Sequence, residues 1–251
     1  MFGGYLGIGG GVIMVPVLLE LLQNEGVGSE HLFHLAFGTS LLAAVAMTGM
    51  ATLSYARSKR VAWEAILWVA IPAFVMSLVG SHLAALSNTD LLRTAFLVFL
   101  IASAILLIRG KFTPLQSDIG VKRLALIGTG LLAGIVSAYL GIAGGVIMVP
   151  LFLIWAHLPV EKAPGTSAAA GVITTSVGAL GYILNGMPVE GLPAGAWGYV
   201  LPAFAAPMML GAIIGAPVGT LLNRRLGTGV FRYVFAIFLL FVAARLLLRS
   251  F

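Results

Sequence analysis

Tyr139-Leu-Gly-Ile-Ala-Gly-Gly-Val-Ile-Met-Val-Pro150 occurs twice in the chain: Tyr5-Leu-Gly-Ile-Gly-Gly-Gly-Val-Ile-Met-Val-Pro16 repeats it with one change, Gly9 in place of Ala143. A glycine cluster, a short apolar run and a proline make a poor continuous helix, because glycine raises the backbone entropy lost on folding and proline removes a donor. What such a string means depends on its solvent. Of the 251 residues 60% are hydrophobic and 9% charged, and the mean hydropathy is +1.09. A soluble domain carries about 25% charged residues. Apolar runs of about 18 or more residues recur along the whole length, each sufficient to cross a bilayer core of about 30 Å. The chain reads as an all-α polytopic membrane protein.

Working outward from the first glycine motif, an apolar segment from Met1 to Leu22 is followed by a polar loop, Gln23 to His34. Spans are expected over Leu35 to Tyr55, Ala65 to Leu86 and Leu91 to Ile108. A polar stretch, Arg109 to Arg123, then leads into the run Leu124 to Trp155 that carries the second motif. That run is too long for one upright helix, since about 20 residues suffice to span. Further spans follow: one opened by Gly165-Thr166-Ser167 and ending near Asn185, then Trp197 to Leu222 and Phe231 to Leu248.

The halves match beyond the glycine motif. Gly38-Thr39-Ser40 corresponds to Gly165-Thr166-Ser167, Tyr55 to Tyr182 without a gap, Pro72-Ala73-Phe74 to Pro202-Ala203-Phe204, and Arg93 to Arg232. Two homologous repeats of about four apolar segments each are therefore expected: 1–110, a cytoplasmic linker 111–123, and 124–251. The second repeat has an apolar lead-in, Leu124 to Val136, that the first lacks. Either the native chain is expected to extend upstream of Met1, or the first helix is short.

Charge arbitrates between parallel and inverted repeats. Arg57, Lys59 and Arg60 follow the second span of the first half, whereas Arg224 and Arg225 follow the third span of the second half. Cytoplasmic loops carry the excess of Lys and Arg. Inversion puts both clusters and the linker inside, with Arg245 and Arg249 as the awkward residues. Inversion also needs an odd number of crossings per half, so each glycine motif is expected to open its repeat as a broken helix.

A break at Gly144-Gly145 would leave a new half-helix starting at Val146, its free amides and positive dipole end facing the break, an arrangement suited to an anion. Discontinuous helices in duplicated positions are the strongest sequence pointer to a transporter's binding site. The competing reading is close helix packing through small residues, but two copies, each ending in Val-Pro, favour the break. The candidate substrate-binding residues are accordingly Gly9, Gly10, Gly11, Gly144 and Gly145, together with Thr39, Ser40, Thr166 and Ser167. The last four either cap helix starts or donate to an oxyanion. Tyr55 and Tyr182 read as interfacial anchors, and Arg93 and Arg232 as snorkelling cations. Gly211, Gly215 and Gly219 form a packing stripe.

Several chemistries find no support. The chain has no cysteine, so disulfides and thiolate metal sites are excluded. His31 and His34 beside Glu30 lie in an expected loop without further ligands, and no metal site or other cofactor is expected. No phosphate-binding G-x-x-x-x-G-K-[ST] string and no nucleophile, base and orienter cluster occurs, so an enzyme is not expected. The net charge of +6 gathers at span ends and requires no nucleic acid.

The motif G-x-G-G-G-x-x-x-V-P, its variant in the second half, and the paired G-T-S and P-A-F strings resemble the sulfite exporter TauE/SafE family of membrane transporters over nearly the whole chain. The resemblance implies a multi-pass permease of a bacterial-type cytoplasmic (inner) membrane. It implies a small anion as substrate, often a sulfur-containing oxyanion such as sulfite or an organosulfonate; the lipid bilayer is the other expected partner, and whether the chain forms a homo-oligomer is left open by the sequence. A secondary transporter working by alternating access is the leading expectation. A passive anion channel and a non-transport membrane subunit are the alternatives.

Overall fold

A computed structural model describes residues 11–109, 121–225 and 228–248, with side chains left out at 107, 217, 219–225 and 228–235. Among the described residues there are nine helices and no strand: α1 (Gly11–Asn24), α2 (Leu32–Arg57), α3 (Trp63–Leu86), α4 (Thr89–Arg109), α5 (Arg123–Tyr139), α6 (Gly145–Ile154), α7 (Ala163–Gly186), α8 (Pro202–Arg225) and α9 (Thr228–Leu248). Four of them, α2, α3, α4 and α7, are long and apolar enough to cross a membrane, and the shorter helices are apolar too. In lipid an α-helix satisfies its backbone polar groups within its own segment, which suits long apolar runs of this kind.

Two helices form the centre. The most apolar windows of α2 and α7 are 78% and 67% buried, against 28% and 33% for α3 and α4. The outer helices turn large side chains such as Leu67, Ile71 and Leu86 outward, as a lipid-facing surface requires. α2 and α7 lie antiparallel. A side chain at Gly38, near the start of α2, would meet Tyr182 Cβ at 3.0 Å, near the end of α7. Gly165, near the start of α7, stands in the same relation to Tyr55 Cβ at 2.9 Å, near the end of α2. Between these ends Gly178 faces Leu41 and Gly171 faces Thr48. Tyr55 and Tyr182 are therefore core residues, 1% and 0% exposed, rather than interfacial anchors.

α3 and α5 run parallel and close together, Gly130 against Val69 and Pro72 and Gly134 against Ala73. α4 pairs with α9, where Arg93 donates from Nη2 to the Leu246 carbonyl at 2.6 Å. Arg245, the awkward cation of the sequence, pairs with Glu20 at 2.8 Å. The side chain of Arg232 and the residues from Gly110 to Gly120 of the linker lie outside the described residues.

Two boundaries differ from expectation. α2 starts at Leu32, so His34 belongs to the helix rather than to the preceding loop. The span expected from Trp197 starts as α8 only at Pro202. Before it, Trp197 donates its amide to the Val200 carbonyl at 2.8 Å and Gly198 takes φ +55°, a tight turn. Proline at the first helical position then begins the helix, its missing donor costing nothing there.

Candidate functional site

The second glycine motif breaks its helix as expected. α5 ends at Tyr139 and α6 begins at Gly145. Gly141 sits at φ +67°, a left-handed conformation that a side chain would resist. A side chain there would also run into the Cα of Phe37 on α2. The turn is closed by the Ile142 amide donating to Ser137 O at 3.0 Å, and by the Ser137 hydroxyl donating to Ile142 O. α6 then runs back: Lys122, just before α5, donates its amide to Ala156, just after α6, at 3.4 Å. The long run Leu124 to Trp155 thus enters and leaves at the same end of the bundle. The N-cap of α6 is Gly144, which has no side chain to satisfy the first amides. Those amides and the positive end of the helix face the break.

The first glycine motif meets the second. A Cβ on Gly11 would lie 2.8 Å from Ile142 Cα and 2.9 Å from the Ala143 nitrogen. Around this contact Ala143 packs with Ala44 and Met47 of α2 and Ala212 and Ala216 of α8, with Met14 of α1 at its edge. Met148 turns its terminal methyl toward Gly144. Beside the cluster Thr48 and Thr175 bring their hydroxyl oxygens within 3.5 Å of each other. Each donates its hydrogen to the carbonyl one turn back, Ala44 and Gly171, both at 2.8 Å. No Asp, Glu, Lys or Arg occurs from Leu32 to Ala56, from Leu124 to Ile154 or from Ala163 to Gly186. The chemistry available at the breaks is therefore that of amide dipoles, hydroxyls and thioethers.

The G-T-S threonines do something the sequence did not announce. Neither caps the start of its own helix. Thr39 accepts the amide of Leu201, the residue before α8, at 3.0 Å. Thr166 accepts the amide of Ala62, the residue before α3, at 3.0 Å. Each ties down the start of a helix from the other half of the chain. Both are 0% exposed. Ser167 is buried, and Ser40 is buried with its Oγ unpartnered among the described residues. Of the nine candidate residues, Gly11, Gly144 and Gly145 come together at the break. The four hydroxyl residues lie toward the ends of the α2/α7 pair. Gly9 and Gly10 lie outside the described residues.

Thr48 and Thr175 were missed. The signal was present: they occupy matching positions in the ungapped stretch between G-T-S and tyrosine.

At the opposite end of the bundle from the basic Arg57, Lys59 and Arg60, a cleft of about 420 Å³ is lined by Glu25, Glu30, His31, Leu35 and Glu190. Burial and the nearby Glu30 carboxylate hold the Tyr199 phenol above its ordinary range.

An antiparallel pair of buried helices and an interrupted helix that returns on itself, in a chain of several long apolar helices, define a multi-pass membrane protein. The chain belongs to the Sulfite exporter TauE/SafE family, whose pattern it matches over residues 1–246. It is 29% identical to a "probable membrane transporter protein" of Methanocaldococcus jannaschii, over 90% of this chain and 83% of that one. Similar proteins, also described as probable membrane transporters, occur in Haemophilus influenzae, 27% identical over 98% and 93% of the two chains, and Bacillus subtilis, 25% identical over 98% and 92%. No solved structure matches the chain. The family is one of membrane transporters and not an enzyme class.

Proposed function

We propose that the chain is a secondary transporter that moves a small anion, a sulfur-containing oxyanion such as sulfite or an organosulfonate, across the cytoplasmic membrane. Two inverted repeats rock about the α2/α7 crossing and expose the site to either side in turn. The observation that carries this reading is the contact of Gly11 with Ile142 and Ala143, which brings the two copies of the glycine motif together at the centre of the bundle. An anion there would be held by helix-terminal amides, with Thr39, Ser40, Thr166 and Ser167 supporting the ends of the α2/α7 pair.

Inversion is supported by matching residues in opposed places. Gly38 faces Tyr182 as Gly165 faces Tyr55, Thr39 holds Leu201 as Thr166 holds Ala62, and Thr48 touches its own counterpart 127 positions on. A residue can touch its repeat-mate only at the axis that relates the repeats. Charge agrees with this arrangement. Arg60 lies against Gly165, close in sequence to Lys162, and Arg123 lies over Trp68 at 5.1 Å, so these basic residues share one end, which the positive-inside bias makes cytoplasmic, while Arg93 and Arg245 lie toward the other.

The test is thermal stability of the purified protein in detergent against sulfite, sulfate, thiosulfate, sulfoacetate, taurine and chloride. A ligand at about 100 times its Kd stabilises the folded state by about 2.7 kcal/mol. A saturable shift from one sulfur oxyanion, lost in Gly145→Leu, is expected. No shift from any sulfur anion would sink the substrate assignment. Conductance that never saturates would replace the transporter with a channel.

A further inference from the structure

Where α2 starts, α3 ends and the chain leads into α8, the packing centres on one imidazole. His34 is 4% exposed. Its Nε2 lies 3.1 Å from the carbonyl oxygen of Ala84 and 3.1 Å from that of Ser87. Carbonyls only accept, so Nε2 carries the hydrogen and shares it between the two. In the neutral ring Nδ1 is then a bare acceptor, buried without a hydrogen-bond partner among the described residues. A purely structural histidine uses both nitrogens as a rule, because a buried polar atom left unpaired is costly.

Backbone carbonyls crowd the buried ring and could take a second hydrogen from it, against the cost of desolvating a charge at so buried a place. Ala84 and Ser87 end α3, so their carbonyls form the negative pole of that helix. The Glu30 carbonyl, one turn back from His34, lies within reach of the ring, and it also accepts the Thr89 hydroxyl at 2.5 Å. Facing the ring are His31 of the turn into α2, with centroids 6.1 Å apart, and Tyr199 of the α7–α8 connection, stacked at 4.8 Å. From α5 the Tyr139 hydroxyl reaches Ser87 Oγ at 3.0 Å, and Asp90 follows Thr89 at the start of α4. The last turn of α3 adds no titratable group. The cleft lined by Glu25, Glu30 and Glu190 includes His31 and so opens beside this corner.

We infer that His34 is a proton-binding site, loaded from the acidic cleft, whose bound proton latches the α3–α4 corner to the start of α2. A second hydrogen on Nδ1 creates a donor where the neutral ring has an empty acceptor, directed toward the Glu30 carbonyl. The imidazolium then holds the end of α3 on one side and the α1–α2 connection on the other. The cleft reaches the corner through His31, whose ring lies 6.1 Å from that of His34, and its carboxylates are the acidic groups from which a proton would arrive. The proton site stands whether or not the sulfur-oxyanion reading does, because its test uses no transported anion.

The experiment is nitrogen-15 NMR of the histidine-labelled full chain in nanodiscs. The chain has 4 histidines, and the His34 signal is the one lost in His34→Gln. Should that variant fail to fold, His31→Gln, His82→Gln and His157→Gln assign it by elimination. The expected result is an Nε2–H tautomer at about pH 8.5 that becomes doubly protonated by about pH 5, the range in which histidine switches. Glu30→Gln and Glu190→Gln should each weaken proton binding about two- to fivefold, as the loss of a partly exposed charge does. The Ser87 and Asn88 amides should gain exchange protection in the acid form, beyond their intrinsic rates. A His34 ring that stays neutral down to about pH 4.5 would overturn the site. A midpoint unmoved in both glutamine variants would overturn its loading from the cleft, and unchanged protection at the corner would overturn the latch.

Discussion

Gly11→Ala adds one methyl group where the two glycine motifs touch, and its consequence can be worked from the contact itself. The new Cβ would stand 2.8 Å from Ile142 Cα and 2.9 Å from the Ala143 nitrogen. Carbon atoms in good contact sit about 3.5–4.0 Å apart, so α1 and the break must separate by about 1 Å. The obstructing atoms are backbone, and no rotamer change relieves them. Overpacking of this kind costs about 1–3 kcal/mol, or a fall in Tm of about 2–12 °C at about 2–4 °C per kcal/mol for a chain of this size. The effect on transport should be larger in proportion, since a displacement of about 1 Å at a site can cost about 100-fold in rate. Gly49→Ala supplies the contrast. Gly49 lies inside α2 with nothing within 4 Å of its added Cβ, so alanine there should stabilise by about 0.5–1 kcal/mol through lost chain entropy. The assay is thermal unfolding in one detergent for both variants, followed by sulfoacetate and thiosulfate flux in proteoliposomes. Opposite signs for the two alanines are expected. A Gly11→Ala protein that unfolds at the wild-type temperature or above would refute the close approach of the motifs.

Thr39→Val and Thr166→Val each strand a backbone amide, that of Leu201 or Ala62, and should destabilise by about 1–3 kcal/mol; Thr→Ser at either site should restore most of it in the same thermal assay. Thr48→Cys with Thr175→Cys in this cysteine-free chain should cross-link under mild oxidation, read as a mobility shift that reductant reverses, because the two side chains meet across the α2/α7 crossing. Arg245→Gln should change Tm by less than the equivalent of about 1 kcal/mol, since its pair with Glu20 is half exposed on the arginine side and such pairs contribute little. The raised phenol of Tyr199 contributes stability that is fully present below its unfolded pKa of about 10 and is lost as pH rises through the higher folded value; Tyr199→Phe should therefore unfold less steeply than wild type above about pH 10.

Which of these features the sequence could disclose follows from what kind of information each one needs. The break was legible because it is local: a glycine cluster between apolar runs, in a stretch too long for one crossing, leaves the chain few alternatives, and α5 and α6 part at Leu140–Gly144. The meeting of Gly11 with Ile142 and Ala143 was not, because nothing local distinguishes a glycine needed for a neighbouring backbone from one needed for a turn. The threonines of G-T-S show the same limit. A hydroxyl at an apparent helix start suggests a cap for that helix. Yet α2 begins seven residues before Thr39, whose own first turn therefore has no use for it, and the amide it accepts belongs to Leu201. In sequence His34 belongs to a polar stretch with Glu25, Glu30 and His31 that reads as a loop, whereas tertiary packing extends α2 back to Leu32 and buries the ring against the end of α3. The threonines and His34 are polar and serve a helix other than their own. Periodicity is silent at such positions, since a polar side chain there is satisfied by a distant segment rather than by its own turn. Matching positions in the two halves carry information that periodicity does not: Thr48 and Thr175 could have been paired from their common spacing to G-T-S and to tyrosine. In a duplicated membrane chain, polar residues recurring at one register inside otherwise apolar spans are the ones to place first at the crossing of the halves.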